Sequence, residues 1–379
     1  MNRYINTGLE RRNKMAAITA AAVKELREMT GAGMMDCKKA LAETDGDMDK
    51  AVEFLRKSGA AKMEKKASRI AAEGICRIAC EGNIAVVAEV NSETDFVAKN
   101  EIFQEFVQKV ADTALASGLK GGKNGEDIEE LLTKDGLNEL LVEKTSTIGE
   151  KLSVRRFERV EDECVATYIH GGGRIGVIVA ANGAQGDDVK EALTNIAMQV
   201  AAMNPQYCQR SDISDEELAK EREITIDSAL NDPATLPKPI LQKLIDKAVN
   251  DGLWSEEDIK IYEEKKANMN YLFNFLSDAA AAKLSELALA DKAAHIADKI
   301  FGGLVEGRIS KHLKEICLMD QVYVKAEDGK QSVAKYLESV NKDLKITKFV
   351  RFEVGEGMEK KEEDYAAEVQ KQVEAARKG

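Results

Sequence analysis

At 379 residues, 44% hydrophobic but only 5% aromatic, the chain is long enough for two or three domains with sizeable cores, and its wealth of Ala, Lys and Glu favours helices. A formal net charge of −12 argues against nonspecific nucleic-acid binding as the main role. Six scattered cysteines, with no Cys-x-x-Cys pair and no histidine beside a cysteine pair, argue against zinc and for a reduced compartment; no apolar run nears the roughly 20 residues that span a bilayer and no signal peptide is visible, so the reading is a soluble cytoplasmic protein.

Residues 1–14 are polar and without helical or strand periodicity. Glu10-Arg11-Arg12 can be encoded by a purine-rich ribosome-binding sequence, which makes Met15 the expected start and 1–14 a non-native or disordered leader. Residues 15–58 predict three short helices: one capped by Thr19 with Val23, Leu26 and Met29 on one face, one through Met35, Cys37, Ala40 and Leu41, and one through Met48, Val52, Phe54 and Leu55. A basic linker helix, 59–73, carries Lys62, Lys65, Lys66 and Arg69 and suits either solvent or an acidic partner surface.

A near-repeat follows. Strand Ile75–Cys80, a turn, strand Ile84–Val90 and a helix over about 95–116 are echoed by strand Cys164–Ile169, a glycine turn, strand Ile175–Ala180 and a helix over about 187–203. Residues 126–151 read as helical and 152–160 as a strand. Only the first copy carries Thr94-Asp95-Phe96 at its strand-to-helix corner; the second has Asn182-Gly183-Ala184. Asp95 could cap the helix with Phe96 folded back as a staple, or the ring could be pushed into a partner. One decorated copy beside one plain copy favours a functional decoration.

Residues 205–318 read as a helical excursion punctuated by all four prolines. Ile296, Ile300, Leu304, Ile309, Leu313 and Ile316 suggest an antiparallel hairpin or coiled coil, and Trp254, Tyr271, Phe273 and Phe275 a small aromatic core. Strand-like segments return at Gln321–Val324 and Ile346–Val354, before a charged helix from about Lys361 to Arg377. The domains expected are therefore 15–58, 59–73, a core of 74–160 joined to 161–204 and 319–357, the helical insertion 205–318 and a C-terminal module 358–379.

Catalytic chemistry finds little support. Gly171-x-Gly173-x-x-Gly176 has dinucleotide-binding spacing, but the residues after it form a strand where that mechanism needs a helix N-terminus. There is no P-loop and no nucleophile motif. His170 and the Met34-Met35 pair suit structural roles as well as contact roles when taken alone.

Together the segments resemble the bacterial elongation factor Ts family, guanine-nucleotide exchange factors of elongation factor Tu. The resemblance rests on Val23–Arg27, Thr30–Leu41, Glu89–Asn91 with Thr94–Ala98, His170-Gly171 with Arg174–Val177, and Arg351–Gly357, in the family's order, and covers nearly all of 16–204 and 300–370. It implies an α+β fold: an N-terminal ubiquitin-associated-like helical domain, a duplicated hairpin/helix core, a coiled-coil insertion and a C-terminal helix. It implies an exchange factor, not an enzyme, with no cofactor, no metal of its own, no direct nucleotide binding and elongation factor Tu as partner, compatible with a homodimer or a 2:2 complex. The residues it points to are Asp95 and Phe96, acting on the partner's magnesium and phosphate site, with Thr94, Val97, Leu26, Arg27, Met34, Met35, Lys38, Lys66 and His170 as further contacts. Gln321-Val322-Tyr323-Val324 departs from the family's Gln-Pro-Phe-Val, and residues about 232–292 exceed the common pattern. A helical adaptor without exchange activity is the alternative.

Overall fold

A computed structural model describes residues 18–359; the leader at 1–14 and the helix expected from Lys361 lie outside the described residues. The chain divides into two compact units, one taking in the chain up to Asn204 and again from Leu337, the other Pro205–Tyr336. Helix and strand are both abundant, and the fold is α+β.

Helices α1 (Ala20–Thr30), α2 (Met34–Glu43) and α3 (Met48–Lys66) open the first unit. Thr19 caps α1 by accepting the Ala22 N–H, and Asp47 caps α3 by accepting that of Lys50. Val23, Leu26, Cys37, Ala40, Leu41 and Ala51 fill a small core. Met29, expected on that buried face, is exposed. The i, i+3, i+6 stripe falls about 60° behind the helical turn at each step, so it has rotated out of a core this small by its third member. The third helix also runs past residue 58: the good helix formers Ala60, Ala61 and Lys62 carry it to Lys66, and the expected linker helix is the last turns of α3. Buried Gly59 packs there, where a Cβ would lie 3.0 Å from Val142.

Strands β1 (Glu73–Glu81) and β2 (Ile84–Ser92) form an antiparallel hairpin. β4 (Ser153–Glu161) pairs with β2, and the two-residue β3 (Gly121–Gly122) edges the sheet in the order β1-β2-β4-β3. The second sheet, β5 (Cys164–His170), β6 (Ile175–Asn182) and β7 (Lys345–Glu353), is antiparallel in that order. Gly171–Gly173 form a single 3₁₀ turn joining β5 to β6, so these glycines do not open a helix. The helix expected over 95–116 is broken: α4 (Asp95–Ala98) is one turn, and α5 (Glu101–Ser117) restarts because Asn100 accepts the N–H groups of Ile102 and Phe103. After α6 (Ile128–Leu132) and α7 (Leu137–Ile148), α8 (Asp187–Met203) covers the second hairpin as α5 covers the first.

Phe103, Phe106, Val107 and Val110 of α5 pack with Ile75, Val86, Val90 and Phe157. The sheets meet through Cys76, Val87, Ile178 and Phe352. Gly176 lets them approach, since a Cβ there would lie 2.7 Å from Val87. Glu89 is fully buried and accepts from Arg156 Nε (2.6 Å), Arg155 Nη1 (2.8 Å) and the Gly355 N–H (2.9 Å). A buried carboxylate this well paired avoids the cost of a lone charge and ties the returning C-terminal strand to the first hairpin.

The second unit holds α9 (Asp215–Asn231), α10 (Lys238–Asn250), α11 (Glu256–Lys265), α12 (Asp278–Ala290), α13 (Lys292–Ala297) and α14 (Lys299–Ile316). Its hydrophobic centre draws on most of these helices, through Leu241, Trp254, Tyr262, Leu284 and Phe301 among others, and not on a two-stranded seam. The buried stripe of α14 is Phe301, Val305, Ile309 and Leu313; Ile296 and Ile300 are exposed because Asp298 restarts the helix between α13 and α14. Trp254 is buried with its indole N–H on the Ala280 carbonyl (3.1 Å), but Tyr271 and Phe275, expected in an aromatic core, are exposed on an irregular 3₁₀ segment. Gln321–Val324 is not a strand: Val322 makes a single bridge to Ser332 after a 3₁₀ turn.

Candidate functional site

The strand-to-helix corner is assembled from parts distant in sequence. β2 bulges between Glu89 and Val90, and the chain turns at Thr94, extended at φ −128°, ψ 155°. The Thr94 hydroxyl accepts the Val97 N–H (3.5 Å), so Thr94 is the N-cap and Asp95 the first helical residue, contrary to the expected Asp95 cap. Thr94 is held in that role by Glu150. Glu150 Oε2 accepts the N–H groups of Glu93 (3.1 Å) and Thr94 (3.0 Å), and Oε1 accepts the Thr94 hydroxyl (2.7 Å).

Within this clamp the two apolar residues part ways. Val97 is buried, whereas Phe96 is 78% exposed. The staple reading fails because a staple needs an apolar partner a turn further on, and α4 ends at Ala98. Lys99 lies beside both corner residues, 2.8 Å from Asp95 Oδ2 and 5.8 Å from the Phe96 ring centroid. Its hydrogen bond holds the Asp95 carboxyl below the ordinary carboxylate range.

The other expected contact residues fall into two groups. Met34 and Met35 are exposed at the start of α2, with Arg27 and Lys38 exposed nearby in sequence; Met29 joins them as a further exposed methionine. Leu26 is 0% exposed and belongs to the core beneath them, so it supports that surface and offers none of its own. His170 is exposed at the end of β5, with Nδ1 3.1 Å from the Tyr168 hydroxyl. Lys66 is half-buried; its ammonium donates to the Thr145 carbonyl (3.2 Å) near the end of α7, and desolvation lowers its pKa. Lys62 pairs with Asp36 (3.0 Å) and Arg69 with Glu93 (3.1 Å), whereas Lys65 is exposed.

Hydrogen bonds connect the corner to the glycine turn beside His170. Gln104 Nε2 donates to the Ala98 carbonyl (3.2 Å), Arg77 Nη2 donates to Gln104 Oε1 (2.9 Å), and Arg77 Nη1 donates to the Gly172 carbonyl (3.3 Å). Sequence reasoning missed Glu150, Gln104 and Arg77. Glu150 lies 56 residues beyond Thr94, and its one local signal is the helix stop at Gly149.

Residues 93–356 match the family described as Elongation factor TS. The chain belongs to that family. Its membership makes it a translation elongation factor of the TS type, and the clamped corner lies at the start of the matched region. A cavity of about 560 Å³ between α1, α3 and α7, lined by Met29, Leu55, Arg56, Glu139 and Glu143, is separate from that corner. Among the described residues no group of three or more His, Cys, Asp or Glu is arranged to hold a metal, and no helix is long and apolar enough to cross a membrane.

Proposed function

We propose that the chain is a guanine-nucleotide exchange factor that binds elongation factor Tu in its GDP form in the cytoplasm and promotes GDP release by inserting Asp95-Phe96 near the partner's magnesium and phosphate site. The observation that carries this reading is an exposed phenyl ring on a corner whose backbone is fixed by Glu150. A large apolar side chain held out in water, immediately before buried Val97 and ahead of the buried α5 stripe, is suited to work in a complex. A ubiquitin-associated-like α1–α3, presenting Arg27, Met34, Met35 and Lys38, would dock the partner, and His170 would meet a second part of it.

The energetics follow from linkage. A factor that binds the nucleotide-free GTPase more tightly than the GDP form weakens GDP binding by the same factor. Displacing the partner's magnesium uncovers phosphate charge that the ion had neutralised. No bond is made or broken, and the chain itself would hydrolyse no nucleotide. Stopped-flow release of labelled GDP from elongation factor Tu tests this: acceleration that saturates with the factor is expected. Binding without acceleration would leave a helical adaptor, and unchanged rates at saturation would exclude exchange.

A further inference from the structure

We infer that Glu150 is a positioning residue for exchange: it fixes the Thr94 turn so that Asp95-Phe96 is presented at a set offset from the three-helix unit. This rests on the exchange reading above. The geometry goes beyond a single clamp, because Glu93, one of the two clamped residues, bonds in the reverse direction to Lys151, the neighbour of Glu150. Glu150 accepts from Glu93 and Thr94, and the Glu93 carboxylate in turn accepts the Lys151 N–H (2.5 Å). Glu93 is also gripped by Arg69, just past the end of α3, and the Lys151 ammonium donates to the Ala67 and Arg69 carbonyls (2.7 and 2.8 Å). Lys66, one residue before Ala67, is tied to Thr145, five residues before Glu150.

The end of α3, the corner and the 150–151 turn are therefore one hydrogen-bonded body. The Phe96 ring stands out from this body, and the exposed Met34 and Met35 are carried on α2, which is tied to α3 by the Lys62–Asp36 pair (3.0 Å). A partner gripped by the methionines meets the ring already placed, and the ordering cost of the loop is met on folding and not on binding. A ring displaced by about 1 Å would lose much of its effect, as misplacement commonly costs on the order of 100-fold in rate.

The test compares Glu150→Ala, Glu150→Gln and Phe96→Ala in the full chain, by GDP release from elongation factor Tu across factor concentrations and by amide hydrogen exchange of the free protein. Glu150→Ala should lower the maximal release rate about 10–100-fold, with the half-saturating concentration within about threefold. Its Glu93 and Thr94 amides should lose protection while the rest of β2 keeps it. Glu150→Gln retains an oxygen for both N–H groups and an amide that can donate to the Thr94 hydroxyl, so it should recover most of the rate. If Glu150→Ala does not fold, Thr94→Val, which removes the hydroxyl at constant shape, takes its place with a smaller loss expected in the same parameter. Loss in Phe96→Ala with full activity in Glu150→Ala would overturn the inference alone. Full activity in both would overturn the exchange reading and the inference with it. An equal loss in Glu150→Ala and Glu150→Gln would show that the bonds to the turn are not what matters.

Discussion

The first hairpin ends at Thr94-Asp95-Phe96 and the second at Asn182-Gly183-Ala184, and the two corners share a frame. Both last strands bulge just before the turn, at Glu89/Val90 and at Ala180/Ala181. Both corners have a backbone N–H held by a distant carboxylate, Thr94 by Glu150 and Gly183 by Glu163 (2.9 Å). They differ in what occupies the space beyond. Gly183 sits at φ +84°, and a Cβ on it would lie 2.1 Å from the Asp343 carbonyl, so the second corner is closed by the chain's own backbone. The first corner is open and carries an exposed ring. The repeat supplies a frame that aims a corner; only the open one has room for a partner.

The largest effect is expected where the contrast is drawn within seven residues. Phe103→Ala, in the core of the first hairpin, should cost about 3–5 kcal/mol of stability. Phe96→Ala should cost less than about 0.5 kcal/mol, as at other surface sites, yet slow exchange about 100-fold, the size expected of an aromatic anchor. Denaturant unfolding read beside the release rate separates the two. A Phe96 variant that loses stability in proportion to its activity would make the ring a core plug.

Next in size is the closed corner. Gly183→Ala places a side chain in a left-handed conformation against backbone, and should destabilise by about 2–4 kcal/mol. Exchange per folded molecule should stay the same. Reduced exchange in the folded fraction would mean that the second corner also reaches the partner, and the division of labour drawn here would fail.

Much of this frame was legible in the sequence. The alternation and apolar runs of 75–90 and 164–180, each followed by a helical stripe, marked both units, because a pattern of period two that switches to 3.6 has few other solutions. The contrast between Phe96 and Ala184 was visible as well. What escaped were features set by contacts distant in sequence. Thr94 displaced Asp95 as the cap because Glu150, 56 residues away and marked only by the helix stop at Gly149, holds it extended. Ile296 and Ile300 fit a helical period with Ile309, but a helix restart at Asp298 threw them out of phase. Tyr271 and Phe275 were placed inside by composition alone, and their 3₁₀ segment leaves them in water. Lys66, pointed to as a contact by the resemblance, has its ammonium on the Thr145 carbonyl in the free chain, a bond that no local pattern marks.

That last residue sharpens the comparison between the corner and its basic flank. Lys65 is exposed while Lys66 is docked, so charge reversals at the two positions should differ in kind. Lys65→Glu should weaken complex formation by no more than about 1 kcal/mol, and the loss should shrink at high salt, where exposed charges are screened beyond about 3–10 Å. Lys66→Glu sets a carboxylate against a carbonyl and should lower stability as well as binding, with a weaker salt dependence. Isothermal titration at low and high salt, with unfolding of each variant, checks this. Equal salt dependence for the two would mean that Lys66 leaves Thr145 in the complex.

The smallest effect is expected at the Asp95–Lys99 pair, a charged feature of the open corner without a counterpart at Asn182-Gly183-Ala184. The Lys99 hydrogen bond depresses the folded-state pKa of Asp95. A depressed carboxyl contributes its stability above its unfolded value and loses it as pH falls through the folded one, so any contribution lies in full above about pH 4 and disappears only in acid. Between pH 5 and 8 Asp95 should thus give exchange no pH dependence, and the corner should enter the partner already negative. A carboxyl NMR titration should place the Asp95 midpoint below that of unpaired aspartates, and Lys99→Met should raise it. The same variant should leave stability almost unchanged, because both side chains are exposed. It should leave the Glu93 and Thr94 amides protected, since their bonds run to Glu150 and not to Lys99. An unmoved midpoint would show that the pair does not form in solution. Lost amide protection would show that Lys99 helps Glu150 to hold the turn, and the clamp would then extend to the tip of the corner.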